Sequence, residues 1–310
     1  MLPELVRRWA GLWLALAVAS AWGAKAPLAV DEIAPGVFVH RGEVAEMAAD
    51  NGGDIANLSF VVGERCVAVI DTGSTAAIGQ ALLAAVRLKT GLPVCYVINT
   101  HMHFDHVFGN AAFEGGEARF VGNQRLPASL SARADGFVQR VTETLGDAAA
   151  GTRAVYPTVL VDRDSTLDLG GRRLKVEAWP TAHTDNDLTV YDEKTGTLWT
   201  GDLLFDAHLP VIDGSVVGWL KVLDQLEQRP VRHLVPGHGR ADVAGTDALA
   251  RERAYLADVA ATVRKAIRGG QGLRAVIDAG EGKAMAGWQL SEAFHPRNLS
   301  AAYTELEWED

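Results

Sequence analysis

Positions 101–106 hold three imidazoles and a carboxylate, from His101, His103, Asp105 and His106. Neutral imidazole nitrogens and carboxylate oxygens are ligands for zinc and other divalent ions. Without a cation, the same groups would be a costly concentration of polar atoms at the end of a core strand. The strand is the preceding run, Val94 to Asn99, which is apolar and rich in β-branched residues. If extended backbone continues past Thr100, His101 and His103 point to one side, because strand side chains alternate. Asp105 and His106 then fall at the turn that follows. The competing reading, a solvated loop that happens to be rich in histidine, suits two histidines better than so dense a cluster.

Four more ligand-type residues each stand where a strand should end. Asp71 follows Val67–Ile70, and His183 follows the run ending Glu177-Ala178-Trp179-Pro180. Asp202 follows Leu198–Gly201, and His238 follows His233–Gly237. A rigid sheet presents such residues together at one edge. Taken singly, His183 could be a turn histidine, Asp202 a helix N-cap, His238 a surface loop residue and Asp71 a loop-closing acceptor. Taken with 101–106 they make eight convergent ligand-type groups.

The elements that must position them read in chain order. Val37–His40, Leu58–Val62 and Val67–Ile70 are strand-like, and Ala76–Lys89 is helix-compatible before Gly91 and Pro93. With Val94–Asn99 this last part makes a βαβ unit in a buried sheet. Arg119–Val121 reads as a further strand and 124–143 as helix. Strand signal returns at Val159–Val161, Thr166–Leu169, Leu174–Ala178, Leu188–Tyr191 and Leu198–Thr200, with hairpin turns at Gly170-Gly171 and Lys194–Gly196. This order predicts an α/β fold of two mixed sheets packed face to face, with helices outside. Asp247–Arg268 reads as an amphipathic helix and 299–308 as a second, short one.

The 310 residues, 48% of them hydrophobic, can bury a sizeable core, and a net charge of −10 without a basic patch argues against nucleic-acid binding. Arg7 and Arg8, the apolar run Leu12–Ala19 and small residues to Ala24 have the layout of a secretory signal peptide over 1–24. The expected organisation is that segment, a catalytic domain over 27–243 and a helical extension over 244–310. Cys66 and Cys95 sit in apolar strand-like runs; they read as buried small hydrophobes at least as readily as the disulfide that an exported protein permits. Pocket material is expected from the 123–156 insertion and the 205–219 loop, including His208, Asp213, Ser215 and Trp219.

These residues resemble those of the metallo-β-lactamase-fold hydrolases. The family's His-X-His-X-Asp-His motif is matched by His101, His103, Asp105 and His106, its later histidines by His183 and His238, and its bridging aspartate by Asp202. Asp71 matches the supporting aspartate of the family's Asp-Thr-Gly turn. The resemblance runs from about Ile33 to about Arg240. It implies an αβ/βα sandwich with two zinc ions, one on His101, His103 and His183, the other on Asp105, His106 and His238, with Asp202 between them. Asp105 and Asp202 would serve catalysis as well as ligation. Two such ions make hydroxide available near neutral pH and polarise a carbonyl, opening ester, thioester, lactone or amide bonds to attack. Neither cysteine takes a ligand position, so the pattern is closer to the glyoxalase II and lactonase branches. The run 101–110, the segment Leu209–Ser215 with Gly218-Trp219-Leu220, and the export signal further resemble the quinoprotein relay system zinc metallohydrolases. That likeness implies a periplasmic setting near pyrroloquinoline-quinone-dependent dehydrogenases, acting on a small-molecule substrate. Two other classes stay open: a mononuclear iron persulfide dioxygenase using His101, His183 and Asp202, and a noncatalytic metal-binding accessory protein.

Overall fold

The computed structural model describes residues 26–242, 245–279 and 285–309. The expected signal peptide, 1–24, lies outside them. No helix among the described residues is long and apolar enough to cross a membrane.

The first half builds a seven-stranded sheet from β1 (Asp31–Ala34), β2 (Val37–His40), β3 (Leu58–Val62), β4 (Val67–Ile70), β5 (Val94–Ile98), β6 (Arg119–Asn123) and β7 (Val159–Val161), paired in sequence order. Its first four strands are antiparallel; helix α1 (Ala76–Lys89) makes the crossover after which β4 to β7 run parallel. Thr75 caps α1, its hydroxyl accepting the Ile78 amide. After β5 come the short helix α2 (Phe104–Val107) and, after β6, the long helix α3 (Leu126–Leu145). The second half builds a five-stranded sheet in the order β12-β11-β10-β9-β8, from β8 (Asp164–Asp168), β9 (Arg173–Ala178), β10 (Leu188–Asp192), β11 (Thr197–Phe205) and β12 (His233–His238). Helix α4 (Val216–Leu226) joins β11 to its parallel neighbour β12. The chain ends in α5 (Gly245–Arg268), α6 (Leu273–Ala279) and α7 (Ser291–Leu306).

Period-2 alternation explains the layering. Val37 and Val39 face the second sheet and pack with Val61, Ile70 and Ile98 against Leu174, Val176, Leu188, Val190 and Trp199. Phe38, between them, faces outward with Phe60, Val69 and Val97 onto Ile78, Leu82 and Val86 of α1. The outer face of the second sheet is covered by Trp219 and Leu223 of α4, Leu256, Val259 and Val263 of α5, and Leu299 and Ala302 of α7. The result is the expected α/β sandwich of two mixed sheets with helices outside.

Several local expectations change. Cys66 and Cys95 are bonded to each other, because β4 and β5 are adjacent parallel strands, which juxtaposes residues 29 apart in sequence. The last helix spans 291–306 rather than 299–308: the apolar repeat marks only its core-facing second half, while its first half, with Phe294, turns toward the cavity described below. Residues 216–219 are helix, not loop; Ser215 caps α4 by accepting the Gly218 amide, and Trp219 is fully buried in the core, so neither reaches the cavity.

Candidate metal centre

The predicted ligands converge at one edge of the sandwich, on different elements. His101 and His103 leave the end of β5, Asp105 and His106 lie in α2, and His183 sits in the loop between β9 and β10. Asp202 and His238 do not follow their strands but belong to them, in β11 and β12. The pairing of β11 with β12 shifts register on both sides of Gly201, whose φ is +52°. Such a bulge re-aims the next side chain, and here it turns Asp202 inward. Gly237 faces it across the pair: a Cβ there would lie 1.9 Å from Asp202 Oδ1.

Five imidazoles have their outer nitrogens engaged. His106 Nδ1 lies 2.8 Å from Asp71 Oδ2, and His103 Nε2 lies 2.9 Å from Asp213 Oδ2. His183 Nδ1 reaches the Val211 carbonyl at 2.7 Å, and His238 Nδ1 the Ile55 carbonyl at 2.8 Å. Thr100 gives its hydroxyl proton to Asp71 at 2.7 Å, so at 3.1 Å from His101 Nδ1 it can only accept. Each partner is an acceptor, so each outer nitrogen carries the proton and each inner nitrogen of a neutral ring is bare.

The consequence is sharpest for three of them. The inner nitrogens His101 Nε2 and His183 Nε2 each lie 3.1 Å from His103 Nδ1. Three lone pairs directed at one point repel unless a cation sits among them. Asp202 completes this group, its Oδ2 lying 3.7 Å from His101 Nε2 and 3.5 Å from His183 Nε2. The second group, Asp105, His106 and His238, adjoins it: Asp202 Oδ1 is 3.2 Å from His106 Nε2, and Asp202 Oδ2 3.4 Å from His238 Nε2. His106 Nε2 and Asp202 Oδ1 are buried and face each other without hydrogen-bond geometry, as expected of atoms shaped for a metal. The donor set, three imidazoles plus a shared carboxylate and two imidazoles plus two carboxylates, fits two divalent ions.

Electrostatics divide the groups in the metal-free protein. Burial, helped by the neighbouring imidazoles, holds His101 well below its ordinary pKa, and burial takes His183 down to about 4. Burial also opposes charge on His238 and His106, but Asp202 and Asp105 outweigh it, raising His238 to about 10 and His106 well above its usual value. The same pairing overcomes the burial of Asp105 and brings it to about 2. Cations entering here displace protons.

The ligands floor a cavity of about 350 Å³. Of the pocket residues expected from sequence, His208 and Asp213 line it, and the 123–156 insertion contributes Arg133, Phe137 and Arg140 from α3. Sequence reasoning missed Glu46, Met47 and Ile55 from the β2–β3 connection and Phe294 and Arg297 from α7. It also missed Asn298, which accepts the Ile212 amide at 2.9 Å and donates to the Pro210 carbonyl at 2.6 Å, holding the loop that orients His183 and His103. An asparagine on the apolar face of a helix was the available signal.

The profile of the metallo-β-lactamase superfamily matches residues 51–238. A hydroxyacylglutathione hydrolase from Synechococcus sp. (strain JA-2-3B'a(2-13)) is 28% identical over 164 residues, 52% of this chain and 56% of the relative. The chain thus matches little more than half the length of that protein. Among solved structures, a metallo-β-lactamase from Pontibacter korlensis superposes with a TM-score of 0.60 at 22% identity, over 74% of this chain and 99% of that one. The inverting sec-alkylsulfatase Pisa1 from Pseudomonas sp. gives 0.70 at 17% identity, over 90% of this chain and 50% of that one. A β-lactamase domain protein from Burkholderia ambifaria gives 0.65 at 19%, over 90% and 86%; these three show a shared fold. With its profile match and its complete set of histidines and aspartates, this chain belongs to the metallo-β-lactamase superfamily.

Proposed function

We propose that the chain is an exported dinuclear zinc metallohydrolase that opens an ester, thioester, lactone or amide bond. The observation that carries it is the convergence of three inward-facing imidazole nitrogens, with His103 Nδ1 at 3.1 Å from both His101 Nε2 and His183 Nε2, beside a second group of one carboxylate and two imidazoles. His101, His103 and His183 would hold one ion and Asp105, His106 and His238 the other, with Asp202 shared. When bound, two such ions lower the pKa of water toward about 7 and polarise a carbonyl.

The protein's own residues do the rest. Asp71, Asp213 and the Val211 and Ile55 carbonyls keep the imidazole protons on the outer nitrogens, so the inner ones stay aimed at the cavity. Asp105, held ionised by His106 and His238, lines the cavity and accepts a hydrogen from a water placed there, orienting it toward a bound carbonyl. Phe104, Phe137 and Phe294 give the same cavity apolar lining that excludes bulk water. The likeness to a hydroxyacylglutathione hydrolase puts thioesters first among substrates to try. The periplasmic setting beside quinoprotein dehydrogenases rests on the residues at 1–24, 101–110 and 209–220.

A single-iron dioxygenase on His101, His183 and Asp202 would leave Asp105, His106 and His238 without a task, and a noncatalytic metal-binding accessory protein would need no cavity above its metal groups. Metal content of the purified protein, beside Asp202→Ala, tests the reading. Near two zinc per chain, falling toward one or none in the variant, and turnover of a thioester are expected. One iron per chain, or no tightly held metal, would overturn it.

A further inference from the structure

The cavity wall does not share the acidity of the chain. Against a net charge of −10, three guanidinium groups line it, Arg133 and Arg140 from α3 and Arg297 from α7. Of its four carboxylates, Asp105 and Asp202 belong to the metal groups. Asp213 is engaged twice, by His103 and by Arg133. Glu46 stands 3.8 Å from Arg297, at the long limit of an ion pair. Arg140 has no carboxylate within 4 Å among the described residues.

Two of these arginines share a second feature. The guanidinium carbon of Arg140 lies 5.8 Å from the centre of the Phe104 ring, and that of Arg297 lies 4.9 Å from the centre of the Phe294 ring. A guanidinium held over a ring engages its flat face, leaving its N–H fork free for a planar oxyanion. Both rings line the same cavity, with Met47, Ile55, Phe137 and Ile212. The wall therefore offers apolar surface bounded by two cationic forks, above a floor that holds the reacting groups.

We infer that the substrate is an amphipathic carboxylate, with an anionic head received by Arg140 and Arg297 and an apolar body carrying the scissile bond down to His103, His183 and Asp202. This deepens the hydrolase reading and rests on it for the word substrate. The binding preference itself needs no turnover. An apolar body is retained because the aromatic wall desolvates it, and the anion gives orientation because only one end of such a molecule suits the arginines.

A dye titration separates the two claims. Fluorescence of 8-anilinonaphthalene-1-sulfonate, an apolar anion, is compared with that of neutral N-phenyl-1-naphthylamine in wild type, Arg140→Gln, Arg297→Gln, the Arg140→Gln/Arg297→Gln double variant and Arg274→Gln, the last an exposed arginine of α6 outside the cavity. Displacement by 4-phenylbutyrate is then compared with displacement by 4-phenylbutan-1-ol. The expected result is preference for the anion in both comparisons, weakened about tenfold by each cavity variant, the effect of one charged hydrogen-bonding partner. Arg274→Gln should match wild type, and neutral-dye affinity should be unchanged throughout, which also reports an intact fold. Equal binding of charged and neutral probes, or anion binding that survives loss of both cavity arginines, would overturn the inference. Failure of the hydrolase reading alone would appear as missing zinc or missing turnover with the dye preference intact.

Discussion

His183 donates its Nδ1 proton to the backbone carbonyl of Val211 at 2.7 Å, so the aim of this inner-facing histidine depends on a loop. Asn298 holds that loop on both sides of Val211, through the Pro210 carbonyl and the Ile212 amide, and also donates to the Tyr255 hydroxyl at 2.8 Å. Glu305, two helical turns further along the same face, accepts the Val216 amide at 2.6 Å where the same loop enters α4. Helix α7 is thus a brace behind the metal groups rather than a detached tail.

From that brace follows the first prediction. Asn298→Ala should cost about 1–3 kcal/mol of stability, because it strands a buried amide and a buried carbonyl. It should also weaken metal binding about tenfold, the lower end of what loss of an orienting partner does to a metal site. Chelator competition monitored beside thermal unfolding checks both. A variant that loses stability but keeps wild-type metal affinity would confine Asn298 to folding.

The Cys66–Cys95 bond yields the second. It closes a loop of 29 residues across neighbouring strands β4 and β5, and a loop of that size is worth about 3–4 kcal/mol through restriction of the unfolded chain. Reduction, or the double change Cys66→Ala/Cys95→Ala, should lower the melting temperature by about 5–7 °C. Since neither cysteine touches the metal groups, metal content should not change. Unfolding curves with and without reductant that superpose would refute the estimate.

A third prediction concerns pH. Glu252 is completely buried in α5; one carboxyl oxygen accepts the Phe205 amide at 2.6 Å at the end of β11, and the other has no partner. Burial therefore pushes its pKa well above the ordinary value, with Asp202 adding to the rise, while the Phe205 amide opposes it. The folded protein keeps this acid neutral when the unfolded chain, with an ordinary pKa of about 4.3, has already lost the proton. Stability is then fullest below that pKa and declines as pH rises toward the folded pKa, by about 1.4 kcal/mol per pH unit for this group alone. Glu252→Gln preserves an acceptor for Phe205 and removes the titration. The variant should melt near wild type at pH 4.5 and above it at pH 7.5. Parallel pH profiles for the two proteins would rule this out.

How much of this was legible beforehand depends on whether information was local. Val37 through Val39, Val94 through Ile98 and Leu174 through Val176 declare their strands by alternation or apolar runs, because a pleated strand exposes each neighbour to a different face. His101, His103, Asp105 and His106 declare themselves because so many ligand groups in six positions have few other uses. The remaining ligands were visible as residues at strand ends, although Asp202 and His238 prove to lie within β11 and β12. A bulge at Gly201 is a property of two strands in register, and no single strand's sequence states it.

Tertiary structure decided what depends on pairs far apart in the chain. The disulfide needed β4 beside β5. The tautomers needed Asp213, Val211 and Ile55 brought against His103, His183 and His238. The cavity's character needed Arg140 from α3 and Arg297 from α7, more than 150 residues apart, to face one floor. The chain by itself determined the fold class and the metal-binding chemistry, since periodicity and ligand type are written residue by residue. Which acceptor fixes each imidazole, and which cations meet the substrate, emerges only when packing closes the loops between them.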